Sequence, residues 1–570
     1  MARHLITSAL PYINGVKHLG NLVGSMLPAD VHARYLRMQG HEVLAICATD
    51  EHGTPAELAA AEAGQTVQQY CDEQFEIQRD LGERFGLSWD WFGRTSRPQN
   101  HELTNHFARK LEEHGYLEER SIQQVYSPSE DRFLPDRYVT GTCPHCGFER
   151  ARGDQCENCG RLLDPTDLID PRSTVTGATD LEVRESKSVF LLQTKLADRV
   201  REWIETQEQW PNLPRSIALK WLDEGLQDRD ITRDLSWGVP VERPGMEHKV
   251  WYVWFDAPIG YIASTKEWAD ADPTGERDWR SWWYDSDDVT YTEFMGKDNV
   301  AFHTVSFPIT LIGSGEPWHK VDFLKAFNWL TYEGGKFSTS QGIGVFMDDA
   351  LELLPADTWR WYLIANAPES DDASFTWPLF QQAVNGDLGG KLGNFVNRTL
   401  SFTRKQYGEE VPAGGTTGEV EEQLAADVRA KLDELAGLYE AMEFRKVARA
   451  VRELWTLGDA YLEVREPWRL RKAEQAPWGD QTGDEAAQAV LRTAINLIPV
   501  LAAAAAPIIP TAAATAAASV GATTEAWPTV DLTALQPGHP FEVPPLLFGR
   551  IDDDMVEAWQ ARFSGADDRG

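Results

Sequence analysis

Apolar and polar positions alternate in two distinct ways along this chain. In the N-terminal part, short apolar runs stop abruptly at polar clusters. Residues 4–8 read as a strand that runs into Leu10-Pro11-Tyr12-Ile13-Asn14-Gly15, with helical sequence from His18 onward. Residues 43–48 read as a second strand, ending at Thr49-Asp50-Glu51-His52-Gly53. Strands alternating with helices predict a parallel α/β sheet, whose ligands gather at the carboxyl ends of its strands, where both polar clusters fall. From about residue 115 to 237 the sequence turns irregular and rich in Pro, Gly and Cys, which reads as an insertion. Strand and helix then resume with KVWYVWFDAPIGY and TYTEFMGKD. Beyond Gly386 the period becomes helical: Leu424, Val428, Leu432, Leu435, Tyr439 and Met442 share one face, followed by Phe444, Val447, Val451 and Leu454. That pattern predicts a helix bundle. Residues 412–418 read as a flexible connection within it, and the residues after Phe563 as a frayed acidic end.

Composition narrows the class. At 570 residues, two to four domains are expected, and 42% hydrophobic content with 11% aromatics excludes a disordered chain despite a net charge of -35. Acidity spread along the whole length suits a surface that stays hydrated in concentrated salt, so a halophilic host is expected. The N-terminus MARHLITSALPYING lacks the basic region and uninterrupted apolar core of a signal peptide, which predicts a cytoplasmic protein. Residues 495–520 are long and apolar enough to raise the question of a membrane span. They are mostly alanine and are cut by Pro499, Pro507 and Pro510, so a buried helix pair is expected and no membrane.

Four of the six cysteines lie within seventeen residues as Cys143-x2-Cys146-x9-Cys156-x2-Cys159. Two thiolate pairs at this spacing suit one tetrahedral zinc, and four sulfur ligands leave no position for water, so the ion is expected to be structural. His18-Leu19-Gly20-Asn21 opens a helix after the first strand, where backbone N–H groups attract phosphate. By itself this tetrapeptide reads equally as a structural helix start. Gly334-Gly335-Lys336-Phe337-Ser338-Thr339-Ser340 is a glycine-hinged loop with one cation and three hydroxyls, suited to closing over a triphosphate but also readable as a surface turn.

Together SALPYINGVKHLGN, ATDEHGTP, YVWFDAPIGY, FMGKD, GGKFSTS and LGNFVNR occur in the order found in methionyl-tRNA synthetases, and the resemblance runs over nearly the whole chain. The sequence resembles an archaeal or halophile-like member of this class I family. The resemblance implies a Rossmann-like catalytic domain with an inserted zinc-knuckle domain, followed by an all-α anticodon-binding bundle. It divides the chain into a catalytic first half (1–115), a connective insertion (116–237), a catalytic second half (238–325), a stem with the late loop (326–385), the bundle (386–552) and an acidic tail (553–570). The implied activity is ATP-dependent activation of L-methionine with release of pyrophosphate. Transfer to the 3′-terminal adenosine of initiator and elongator tRNA(Met) then follows.

By the same resemblance His18, Asn21 and Lys336 act in catalysis. ATP, with Mg2+, meets Pro11, His18, Gly20, Asn21, Lys336, Phe337, Ser338, Thr339 and Ser340. Methionine meets Leu10, Tyr12, Asp50, Trp254, Ala257, Pro258, Tyr261 and His303, an apolar and aromatic pocket suited to a thioether with a carboxylate for the ammonium. Each aromatic reads equally as core. Asn299 and Phe307 stand where some relatives have Ile and Trp. Asn394, Arg398 and Trp468 correspond to anticodon-reading positions, where a splayed base stacks on an indole. Asn21 replaces a second His, and Thr339 replaces the second Lys of the late loop, so Lys336 is expected to carry more of the charge at pyrophosphate. Arg150, Arg152 and Arg161 around the knuckle would offset the net repulsion of RNA. The sequence ends soon after PLLFGRIDD, where some relatives append a tRNA-binding domain, so a monomer is expected, with room for a separately encoded tRNA-binding partner. Two other readings remain at this stage: a class I enzyme for leucine, isoleucine, valine or cysteine, and a non-catalytic zinc-ribbon RNA-binding protein.

Overall fold

The computed structural model describes residues 2–565 except 155, 157, 160, 162 and 339–341. Five parallel strands form its central sheet: β1 (Arg3–Ser8), β2 (Glu42–Thr49), β3 (Trp91–Arg94), β4 (Val289–Gly296) and β5 (Phe323–Phe327), in the spatial order β5-β4-β1-β2-β3. The apolar runs are continuous because helices cover both faces of the sheet. Leu5, Leu44 and Ile46 are buried in one core, Ile6, Ala45 and Cys47 in the other. From β1 the chain proceeds to β2 and β3 on one side, whereas β4 and β5 lie on the other. The crevice beyond β1 and β4 is therefore the point where strand order reverses, the expected place for a ligand.

Between β3 and β4 lies the insertion, built on a long antiparallel pair, Leu117–Ser127 with Glu182–Leu191. The four cysteines sit at the far end of this pair over a small core of Val125, Leu134, Tyr138, Val139 and Ala151. The sheet, the insertion and the helical C-terminal part bear out the expected fold class.

In the C-terminal part, helices Glu419–Glu440 and Phe444–Arg465 carry nine of the ten helical-period residues, the tenth, Met442, lies in the turn between them at φ +55°, and all ten are buried. The alanine-rich segment is a helix pair, but Gly483–Ala505 runs through Pro499 and only Pro507 and Pro510 break it. A proline inside a helix costs one hydrogen bond; here the flanking Ile495, Leu497, Ile498, Val500 and Leu501 are buried, and that packing offsets the loss. Gly483–Ala505 is the one helix among the described residues long and apolar enough to cross a membrane, and 83% of its apolar window is buried within the protein.

Two expectations are corrected. Residues 412–418 are pinned rather than free: the Arg492 guanidinium donates to the carbonyls of Pro412, Gly414 and Gly415, and Gln488 accepts from the Gly414 N–H. The supposed acidic tail contains a helix, Asp553–Arg562, capped by Asp552. Its Trp559 and Phe563 pack on Trp377, and Arg562 pairs with Asp349 and Glu352. One amphipathic turn after another of acidic and aromatic residues hides this role, because the apolar side chains find their partner far away in sequence. Residues 566–570 lie outside the described part.

Candidate active site

The loop after β1 is held to the end of β2 by a reciprocal pair: the Asp50 N–H donates to the Pro11 carbonyl, and the Ile13 N–H to the Asp50 carbonyl, both at 2.9 Å. Beneath it a buried polar network fixes the second cluster. Glu51 accepts from Thr49 (2.7 Å), Arg94 (2.8 Å) and Ser96, while His52 meets Asp256 at 2.6 Å, itself bonded to Asn100. These contacts fix the backbone at Asp50 and the two side chains that follow it. Asp50 Oδ1 is buried without a partner, and burial, then the nearby Asp256 and Glu51, push its carboxyl well above the usual range. A carboxylate so placed is poised for a cationic group.

That carboxylate lines a small pocket with Ala9, Leu10, Tyr12, Trp254, Ala257, Pro258, Tyr261, Asn299, Phe302 and His303. All eight residues expected to meet the amino acid are thus brought together around one cavity. Trp254 and Phe302 close its wall with ring centroids 4.4 Å apart. His303 Nδ1 meets buried Glu293 at 2.9 Å, which orients the ring and leaves its other edge for the pocket. Phe302 was not legible in the sequence, since a phenylalanine in a helical segment gives no sign of which side it faces. Phe307, expected at the wall, is instead core, buried between the helix it starts and the sheet.

This pocket opens into a cavity of about 860 Å3 lined by Pro11, Asn14, Lys17, His18, Gly20 and Asn21 from one side of the crevice and by Gly296, Asp298, Gly334, Gly335, Lys336 and Phe337 from others. His18 caps the helix that starts at Leu19: its Nδ1 accepts the Asn21 N–H, and Asn21 Oδ1 accepts the His18 N–H, both at 3.2 Å. The pair fixes chemistry as well as backbone. With Nδ1 accepting, the ring proton sits on Nε2, and with Oδ1 engaged, the Asn21 NH2 is the free end. Burial, then Lys17, depress the His18 pKa to about 4, so at neutral pH it is an uncharged Nε2–H donor. Gly20 lies so close beneath this ring that a Cβ there would be 3.0 Å from it.

The two separated motifs meet here. Phe337 stacks on the His18 ring at 4.4 Å and 8°. Phe337 in turn lies over Gly344 (φ +100°), where a Cβ would collide with its ring. Lys336 stands exposed at the lip of the cavity. Ser338 bridges to Ile343 and does not line the cavity, and Thr339 and Ser340 fall outside the described residues.

The four cysteine sulfurs lie within 4.8 Å of one another, with Cys143–Cys159 at 3.9 Å and Cys146–Cys156 at 3.6 Å. A tetrahedral zinc with Zn–S of about 2.3 Å needs sulfurs about 3.8 Å apart, so the group fits that ion. Gly147, at φ +74°, makes the tight turn after the first pair.

In the bundle, Arg398 lies over the Trp468 ring at 4.1 Å, and both line a cavity of about 320 Å3 with Thr399, Phe402, Leu462, Pro467 and Leu491. Asn394, one turn earlier on the same helix, is exposed and outside this cavity.

Comparison with known proteins agrees with this geometry. The family of class I tRNA synthetases (M) matches residues 4–400, and the anticodon binding domain of methionyl tRNA ligase matches residues 411–568. The methionine–tRNA ligase of Streptomyces avermitilis is 58% identical over 582 residues, covering 99% of this chain and 100% of its own. That of Caulobacter vibrioides is 58% identical over 580 residues, covering 100% of both. In fold, the chain is similar to Mycobacterium tuberculosis methionyl-tRNA synthetase in complex with methionyl-adenylate, with a TM-score of 0.77 and 23% identity over 96% of this chain and 100% of that one. These relatives are bacterial, which leaves both the archaeal affinity suggested by Asn21 and the halophile-like affinity without support.

Proposed function

The chain belongs to the methionyl family of class I tRNA synthetases, and on that premise we propose how its residues activate methionine and pass it to tRNA. The observation that carries the reading is the junction of two cavities: an aromatic pocket with a buried carboxylate whose Oδ1 has no partner opens into a larger, glycine-lined cavity bearing Lys336, His18 and Asn21. Asp50 holds the methionine ammonium, and Tyr12, Trp254, Ala257, Pro258 and Tyr261 surround the thioether with Leu10 and His303. Size and polarizability favour methionine over smaller side chains. The methionine carboxylate attacks the α-phosphorus of ATP, the bond to pyrophosphate breaks, and methionyl-adenylate forms. His18 Nε2–H and the Asn21 NH2 donate to phosphate oxygens, Gly20 and Pro11 let the nucleotide approach the backbone, and Lys336 with the Phe337–Ser338 loop closes over the departing pyrophosphate. Mg2+ bound with ATP would neutralise part of the phosphate charge. Transfer then needs only the terminal adenosine hydroxyl of tRNA(Met) to attack the adenylate carbonyl, releasing AMP.

Trp468 and Arg398 offer a stacking platform and a cationic edge for an anticodon base, with Asn394 beside them on the surface. Cys143, Cys146, Cys156 and Cys159 hold one structural zinc that shapes the insertion. The domain limits given above remain the working division, except that 553–562 is a helix docked on the stem rather than a tail. The enzyme acts in the cytoplasm as a monomer, alone or with a separately encoded tRNA-binding protein. Methionine-dependent ATP–pyrophosphate exchange tests the first step, with leucine and cysteine as controls. Exchange with methionine alone is expected; exchange with a control amino acid, or none at all, would overturn the reading.

A further inference from the structure

We propose that Lys17 is a triphosphate-binding residue whose ammonium supplies the second cation that Thr339 removes from the late loop. This rests on reading the large cavity as the ATP site. Among the described residues lining that cavity, Lys17 and Lys336 are the only lysines or arginines, against the carboxylates of Asp298 and Asp372. Lys297 lies close by, but it is engaged with Asp372 at 2.7 Å and lies over Trp329 at 4.3 Å.

Lys17 is 9% exposed, and among the described residues no carboxylate is ion-paired with it. Among the described residues the ammonium's one hydrogen bond is a long contact, 3.4 Å, to Asn14 Oδ1, which also lines the cavity. A buried ammonium with no ion-paired carboxylate is costly, and a purely structural position at this turn would be served better by an apolar side chain. The backbone around it is fixed independently of the ammonium: the Met347 N–H donates to the Lys17 carbonyl at 2.9 Å, and His18 bridges Phe346. The side chain is therefore held ready rather than recruited, which spares reorganisation when the phosphate charge develops. Burial lowers its pKa to about 7, with Asp50 partly opposing. An arriving polyanion favours the charged form by direct Coulomb attraction.

His18 and Lys17 are adjacent, so one turn places an uncharged donor and a cation on the same substrate. Lys336 approaches from the late-loop side of the same cavity, and Thr339 is then tolerated because the charge has moved to the turn beside His18. The alternative is that Lys17 acts on methionine through the field of Asp50.

Exchange kinetics at varied ATP and methionine separate the two, using Lys17→Met, Lys17→Arg and Lys17→Met with Thr339→Lys in the full chain. Lys17→Met should lower kcat/KM for ATP by about 10²-fold, the scale for losing one such transition-state donor. KM for methionine should stay within about twofold, and Thr339→Lys should recover at least about tenfold of the ATP loss. An unchanged kcat/KM for ATP, or a KM for methionine that rises in step with it, overturns the proposal. Should Lys17→Met fail to fold, wild-type protein gives the answer by amine acylation read by mass spectrometry. ATP should protect Lys17 and methionine alone should not; the reverse, or no protection, overturns it. Methionine-dependent exchange by the wild type is the control for the underlying function, and its absence would strike that reading rather than this one.

Discussion

Arg360 should join three parts of the molecule, and its removal should separate two activities that share one active site. Its guanidinium is completely buried and donates to five acceptors: Asp30 Oδ2 (2.6 Å), the carbonyls of Phe85 (3.1 Å) and Gly86 (3.3 Å), and those of Pro507 (3.0 Å) and Ile508 (2.7 Å). The first three belong to the sheet domain and the last two to the break between the bundle's alanine-rich helices. Burial by itself would raise the Asp30 carboxyl; Arg360, Arg34 and Ser88 more than offset it and hold it below the usual range.

Arg360→Met removes one member of a buried pair, which costs about 3–5 kcal/mol. Asp30 keeps Arg34 at 2.9 Å and two bonds from Ser88, which moves the cost toward the lower end. Four carbonyls lose a donor, and at about 1 kcal/mol for each one that stays dry this moves it back up. A loss of about 4 kcal/mol is expected in urea unfolding at pH 7. The penalty should shrink as pH falls into the carboxylate range, because a depressed Asp30 contributes stability above its unfolded pKa and loses it as pH drops. Arg360→Lys should recover part of the loss, since an ammonium reaches Asp30 but cannot fork to both domains. Methionine-dependent exchange should remain within about threefold of wild type, whereas tRNA charging should fall by about tenfold or more as the bundle loses its fixed orientation. A stability change below about 1 kcal/mol, or a parallel decline of both activities, would refute the reasoning.

Other outcomes follow from the same contacts. Metal analysis should find one zinc per chain. Its removal should raise KM for methionine, because Tyr138 beneath the knuckle bonds Glu57 on the helix Thr54–Glu62 that follows the Asp50 loop, and Glu57 also accepts from Ser236 and Trp237; full activity without zinc would sever that link. Burial raises the Glu267 carboxyl to about 7 despite donation from Arg94 N and Trp91 Nε1. An unfolded glutamate ionises near 4.5, so wild type loses stability as pH rises from there to 7; relative to wild type, Glu267→Gln should gain on the order of 2–3 kcal/mol between pH 4.5 and 8, and no relative gain counts against it. With 89 acidic against 54 basic residues, the melting temperature should rise from dilute buffer to molar KCl, and a flat profile would remove the halophilic reading.

What could be read from the sequence was whatever repeats or stops locally. The apolar runs ending at Ser8 and Thr49 marked strand ends, the helical spacing from Leu424 to Leu454 marked a buried face, and the cysteine spacing marked a metal group, because each is a short-range consequence of backbone geometry. The eight residues around the small pocket came from resemblance, and the fold assembles them from four separated segments. What escaped are pairs with no local signature. Asp30 and Arg360 are 330 positions apart, and each alone looks like an ordinary surface charge on a helix. Phe337 looked like a loss of the usual methionine, yet it stacks on His18 and so couples the two nucleotide motifs directly. The C-terminal helix looked like a tail, yet its Phe563 carbonyl accepts the Gly344 N–H just beyond that same loop, and Gln560 reaches Glu333 just before it. Lys17 is the sharpest case. A lysine in a polar turn is read as solvated, yet in the fold it is buried and lines a small cavity with Met347, Trp89 and Phe92. Departures from the family pattern at Phe337 and Thr339 therefore cannot be weighed on the loop itself. On the proposal made for Lys17, their compensation would lie on the facing wall, at His18 and Lys17, and a loop short of one lysine would still be compatible with a triphosphate site.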